Sequence, residues 1–159
     1  MNRSKDPLPK SKSNASDAAW QRAVRWLTVH DRSAHELRVR LTDLGETPAV
    51  IDQVLQRLQH LGYLNDERFA QSAAERGAQR GHGSERVHAE LTGKGVAVAL
   101  VDAAIAAAFA DERALAQRTL ARKFPHAPRT AKERAKAAHF LLNRGFPEAI
   151  VLAILGEGC

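Results

Sequence analysis

Arg118 and Arg122 stand four residues apart with Lys123 beside them, and Arg129, Lys132 and Lys136 follow at spacings of three and four. On a helix such residues share a face, so the six cations predict ridges on two neighbouring helices, with Arg134 on a different face. The planar arginine fork donates two parallel bonds to a phosphate or a carboxylate. The chemistry on offer is therefore polyanion recognition, by a nucleic-acid backbone reader or by a surface for an acidic protein; a merely solvated face is the plain alternative. Arg76 and Arg80, also four apart, and Arg86 form a secondary set. Phe124 is the one Phe, Tyr or Trp among the cations of 118–136, which argues against an interleaved stacking platform for single strands.

Catalytic signatures fail one by one. Gly93-Lys94-Gly95 lacks the longer frame of a phosphate-binding loop and follows a helix where that loop should follow a strand. Gly81-His82-Gly83 reads as a helix-breaking loop. Of the seven histidines, His82 and His88 are six apart and His30 and His35 five apart, neither being the spacing of four that binds zinc on a helix. The single cysteine, Cys159, has no histidine near it in sequence. The expectation is a protein that is not an enzyme and needs no cofactor or metal.

The 159 residues carry a formal charge of +6, and that excess is uneven. Residues 18–62 hold six basic and five acidic groups and 63–110 hold five and six, but 111–159 hold nine and five. Residues 1–17 add Arg3, Lys5, Lys10 and Lys12 against two acids. No apolar run reaches the roughly 18 residues of a membrane span, and the polar start is not a signal peptide. One cysteine cannot form an intrachain disulfide, so a reducing cytoplasm is expected.

The elements that must position these cations show themselves as a repeat of 50 residues. Leu41 precedes Gly45 by four, as Leu91 precedes Gly95 and Leu141 precedes Gly145. Beyond each glycine come Ala49, Ala99 or Ala149, and then Ile51, Val101 or Val151. A fixed period of this size marks stacked supersecondary units. The fold class expected is all-α, three tandem three-helix repeats forming an elongated, curved helical solenoid. Its divisions are a disordered basic tail at 1–17 and repeats at 18–62, 63–110 and 111–159.

Helices are expected near 17–30, 33–44 and 48–60, then 66–80, 84–94 and 97–109, then 111–124, 130–144 and 147–155. Ser33 with Glu36 makes a capping box, Gly45 a helix stop, and Pro48 a helix start. Asn65 reads as the N-cap of the fourth helix. The segment AVALVDAAIAAAF at 97–109 is apolar on most sides and should be buried from more than one direction. The pair 33–44 and 48–60 also invites a helix-turn-helix reading. Only Gln53, Gln56, Arg57 and Gln59 could read bases there, and the counterparts at 97–109 and 147–155 are mostly apolar, so these look like core helices.

The string Gly62-Tyr63-Leu64-Asn65-Asp66-Glu67-Arg68-Phe69-Ala70 resembles the RecX family of recombination regulators, which bind the RecA recombinase filament. The likeness extends through Arg80 to Gly83, Glu90 to Val96, Arg32 to Leu37, Lys123-Phe124 and Phe140 to Phe146. It covers about residues 18–155. His82 departs from it, standing where the family more often has tyrosine. The resemblance implies a regulator that lodges in the groove of the RecA–DNA filament and modulates, typically inhibits, strand exchange and ATP hydrolysis. DNA phosphate contact without sequence specificity would go with it. A nonspecific DNA-binding protein, or a helical adaptor unrelated to recombination, remain the other readings, and the oligomeric state is open.

Overall fold

The computed structural model describes residues 12–156, and those residues form helices and turns. Residues 1–11 of the tail expected at 1–17, with Arg3, Lys5 and Lys10, lie outside the described residues, as does Cys159. Two compact units divide the chain, the first ending at Asn65 and the second beginning at Asp66.

The first unit contains α1 (Lys12–Val29), α2 (Ala34–Asp43) and α3 (Pro48–His60). Helix α1 starts about a turn earlier than expected from the apolar spacing of Trp20, Val24 and Leu27. Asp17, placed at the edge of the tail by sequence, instead sits on α1 with its carboxylate 3.8 Å from the Arg57 guanidinium of α3. Ala19, Ala23, Leu37, Leu41, Ile51 and Leu58 form the core of this unit. The Ser33–Glu36 capping box is made in both directions, at 3.1 and 2.9 Å. Thr47 caps α3, and Pro48 occupies its first turn.

The second unit holds two three-helix groups. Helices α4 (Asp66–Gln79), α5 (Ser84–Gly93) and α6 (Val98–Ala108) enclose Phe69, Ala74, Val87, Leu91 and Val101. Helices α7 (Glu112–Lys123), α8 (Ala131–Asn143) and α9 (Glu148–Gly156) enclose Ala116, Leu120, Leu141, Phe146 and Val151. Leu115 packs against both clusters, so the two cores meet at the start of α7. Each fully buried leucine contributes roughly 2 kcal/mol through the apolar area it removes from water.

The 50-residue period has one physical cause. In each repeat the second helix ends in a turn whose glycine takes a left-handed conformation, at φ 81° for Gly45, 70° for Gly95 and 83° for Gly145. The following amide then reaches back to the carbonyl of the buried leucine. Glu46 donates to Leu41 at 3.1 Å, Val96 to Leu91 at 3.3 Å, and Phe146 to Leu141 at 3.2 Å. This closure satisfies carbonyls that a helix end would leave without partners, and it aims the third helix back across the first two.

Helix α6 does not meet its expectation. It packs on α4 and α5 through one face, burying Val101 and Ala104. Val98 is 58 % exposed, and Ala99, Ala103, Ala106 and Ala107 are exposed as well. The composition misleads because alanine carries little apolar area to hide and favours the helix for backbone reasons alone.

Candidate functional site

The start of α5 is built by the third repeat rather than by its own residues. Gly83, the N-cap position, has no side chain to accept from the first turn. Its amide donates to the Arg144 carbonyl at 2.8 Å, and the Glu85 amide donates to the Gly145 carbonyl at 3.1 Å. Between them, the Ser84 amide and hydroxyl both donate to the Glu112 carboxylate, at 2.7 and 2.8 Å. Backbone donors that usually face water are thereby spent on holding α5 against α7 and the turn after α8. The approach is close enough that a Cβ on Gly83 would overlap the Gly145 carbonyl, and one on Gly145 would overlap Arg86.

This joint gathers charge around His82. Burial first, then the positive charges of Arg86, Arg144 and Arg80, push the His82 pKa below its ordinary 6.5, with Glu90 opposing. Arg86 is already engaged, its Nε lying 3.1 Å from Glu90 and its Cβ beneath Gly145. All three secondary cations named from sequence are exposed, Arg86 beside the joint and Arg76 and Arg80 near the end of α4. Gly81 turns the chain after Arg80 against the Thr119 side chain of α7.

The six principal cations do not form one patch. Arg118 and Arg122 line a groove of about 340 Å³ whose other wall is Ala78, Gln79, Ala107 and Ala108, at the ends of α4 and α6. Arg129 and Lys136 instead line a second groove of about 490 Å³ over the loop 124–128. Leu115, Arg118 and Arg122 share one face of α7, and Gln117, Leu120 and Phe124 lie on the opposite one. Lys123 and Lys132 are exposed and line neither groove.

Sequence reasoning passed over Glu112, Arg144 and Glu133. Thr130 with Glu133 repeats the pattern of Ser33 with Glu36, so that box was readable. It is made at 3.2 Å from the Glu133 amide to Thr130 and 3.1 Å back to the Glu133 carboxylate. Nothing local marks Glu112 or Arg144, because their roles depend on a neighbour that only the fold supplies. Among the described residues, no group of three or more His, Cys, Asp or Glu could hold a metal ion.

Residues 19–58 match the family description RecX, first three-helix domain, and residues 65–105 match RecX, second three-helix domain. The Regulatory protein RecX of Chromohalobacter salexigens is 36% identical over 124 residues, covering 78% of this chain and 82% of that one. That of Leptothrix cholodnii is 33% identical over 134 residues, covering 84% and 85%. The chain belongs to the RecX family. A crystal structure of RecX from Lactobacillus salivarius shares the fold, with a TM-score of 0.75 at 20% identity over 92% of this chain and 97% of that one.

The two matched RecX domains correspond to α1–α3 and α4–α6, with the closure at Gly45 falling inside the first and that at Gly95 inside the second. The RecX relatives are named as regulatory proteins, and no described helix of this member is long and apolar enough to cross a membrane.

Proposed function

We propose that this chain regulates the RecA recombinase by binding its DNA filament, modulating and typically inhibiting strand exchange and ATP hydrolysis. It acts in the cytoplasm by binding, without catalysis. The observation that carries the reading is the likeness to proteins named Regulatory protein RecX across about four fifths of both chains. Arg118 and Arg122 on a narrow alanine-walled groove suit a phosphate or carboxylate partner. Lys123, Arg129, Lys132 and Lys136 add positive charge elsewhere on the third repeat, outside that groove, and Arg76, Arg80 and Arg86 are the secondary set.

The test is DNA-dependent ATP hydrolysis by RecA with this protein titrated in. Progressive inhibition is expected, and turnover unchanged at saturating protein, in low and moderate salt, overturns the reading. The same groove favours a second reading, binding to DNA phosphate without the recombinase. That binding should fall steeply with salt as condensed counterions cease to drive it.

A further inference from the structure

We infer that the groove over the loop 124–128 is a docking site for an acidic peptide segment of a partner protein, one that inserts an apolar side chain between flanking carboxylates. The floor is largely apolar, made by Phe124, Pro125, Ala127 and Pro128 with His126 among them, and the rim carries Arg129 and Lys136 with Glu133 between. At about 490 Å³ the groove is large enough to take a large aliphatic or aromatic side chain.

The groove is held open from both ends. At the entry, the Phe124 amide donates to the Leu120 carbonyl at 2.8 Å. Its ring packs edge-on against Phe140 at 5.6 Å, and the Arg144 guanidinium lies over Phe140 at 5.2 Å. At the exit, the amides of Arg129 and Thr130 both donate to one Glu133 oxygen, at 2.7 and 3.1 Å. The Arg134 guanidinium donates to the Arg129 carbonyl at 3.0 Å. Pro125 and Pro128 restrict φ between these anchors. A site ordered before binding loses little further entropy when occupied.

Charge decides the occupant. Glu133 is the one acid on the lining, and the backbone bonds from Thr130 and Arg129 lower its pKa and engage its carboxylate locally. Arg129 and Lys136 remain exposed at the rim, with Lys132 exposed on the intervening turn. An apolar floor beneath a cationic rim complements a segment of opposite design, carboxylates flanking an apolar anchor. A nucleic-acid strand would need a run of open ring faces for its bases, and the lining offers only Phe124, engaged edge-on by Phe140, and the single exposed imidazole of His126. The site shares no lining residue with the groove of Arg118 and Arg122, so it stands apart from the groove offered to the filament.

Fluorescence anisotropy on the full chain tests this, with a short labelled peptide carrying Phe-Leu between runs of Asp and Glu. The peptide should bind more tightly than one with Ser-Ser at its centre and more tightly than one with Asn and Gln for the acids. Lys136→Glu with Arg129→Glu should weaken it by about tenfold or more, while the circular-dichroism spectrum stays unchanged. Equal binding of the Ser-Ser peptide overturns the proposal. So does oligo-dT whose affinity falls with the two substitutions while peptide binding does not. A concentration-dependent dimer abolished by them would assign the groove to a second copy of this chain and overturn it equally. The peptide measurement uses no recombinase, so its failure is separate from a failure of the RecA reading.

Discussion

Glu112 caps a helix that began 28 residues earlier, taking both the amide and the hydroxyl of Ser84 on its carboxylate. The arrangement follows from a steric demand. Gly83 must lack a side chain because its Cα rests on the Gly145 peptide, and a residue without a side chain cannot cap its own helix. A carboxylate from the next repeat restores what the close approach removed, and so ties the second and third repeats together.

Glu112→Ala should destabilise the second unit by about 1–3 kcal/mol, the range for losing hydrogen bonds to a charged acceptor. Ser84→Ala removes only the hydroxyl bond and should cost less. Because the pair acts together, the double variant should cost less than the two separate losses added. Urea denaturation of the four proteins measures this, and strict additivity would show that the carboxylate does not depend on Ser84.

Gly45 and Gly145 occupy the same place in the repeat, at φ 81° and 83°, yet their alanine variants should differ. Nothing lies within 4 Å of a Cβ built on Gly45, so Gly45→Ala should cost only the left-handed penalty, about 1–2 kcal/mol. A Cβ on Gly145 would overlap the backbone and Cβ of Arg86. Gly145→Ala should therefore add overpacking of about 1–3 kcal/mol. Equal shifts in urea midpoint would mean that the joint yields without cost.

The period of 50 was legible because each closure is local: a leucine, four residues, a glycine, and an amide that reaches back. The Ser33–Glu36 box was legible for the same reason. What crosses between repeats was not. Periodicity reports that Leu91 faces inward, and is silent on Arg144 offering its carbonyl to Gly83. Spacing placed cationic ridges on two neighbouring helices, but it assigns a face within one helix and not the rotation of that helix against the next, so it was silent on whether they share a groove. Helix α6 misled in another way, through alanines whose smallness makes their exposure cheap.

His82 should make stability depend on pH. In the unfolded chain it titrates near 6.5, and in the fold its pKa is lower, so between the two values the unfolded state binds more protons. Stability from this group is fully present above about pH 6.5 and is lost as pH falls toward the depressed folded value. The urea midpoint of the wild type should drop more between about pH 7.5 and pH 5.5 than that of His82→Gln. Parallel profiles would refute the lowering of the His82 pKa by burial and the arginines around it.

Arginines that sequence grouped together should separate by assay. Arg118 and Arg122 line an open groove, so replacing both with alanine should leave the urea midpoint within about 0.5 kcal/mol of wild type, as for surface sites without special contacts. RecA inhibition should weaken severalfold in the same variant. Arg86 meets Gly145 only through its backbone and Cβ, which alanine keeps, and its guanidinium is half-exposed beside Glu90, so Arg86→Ala should also leave stability within about 0.5 kcal/mol of wild type. Inhibition should be kept in Arg86→Ala, whose guanidinium lines neither groove, while the Arg118 and Arg122 variant is impaired. If the open-groove variant inhibits as well as wild type at matched salt, the contact with the filament lies elsewhere, and the ridge of Arg129, Lys132 and Lys136 becomes the surface to vary.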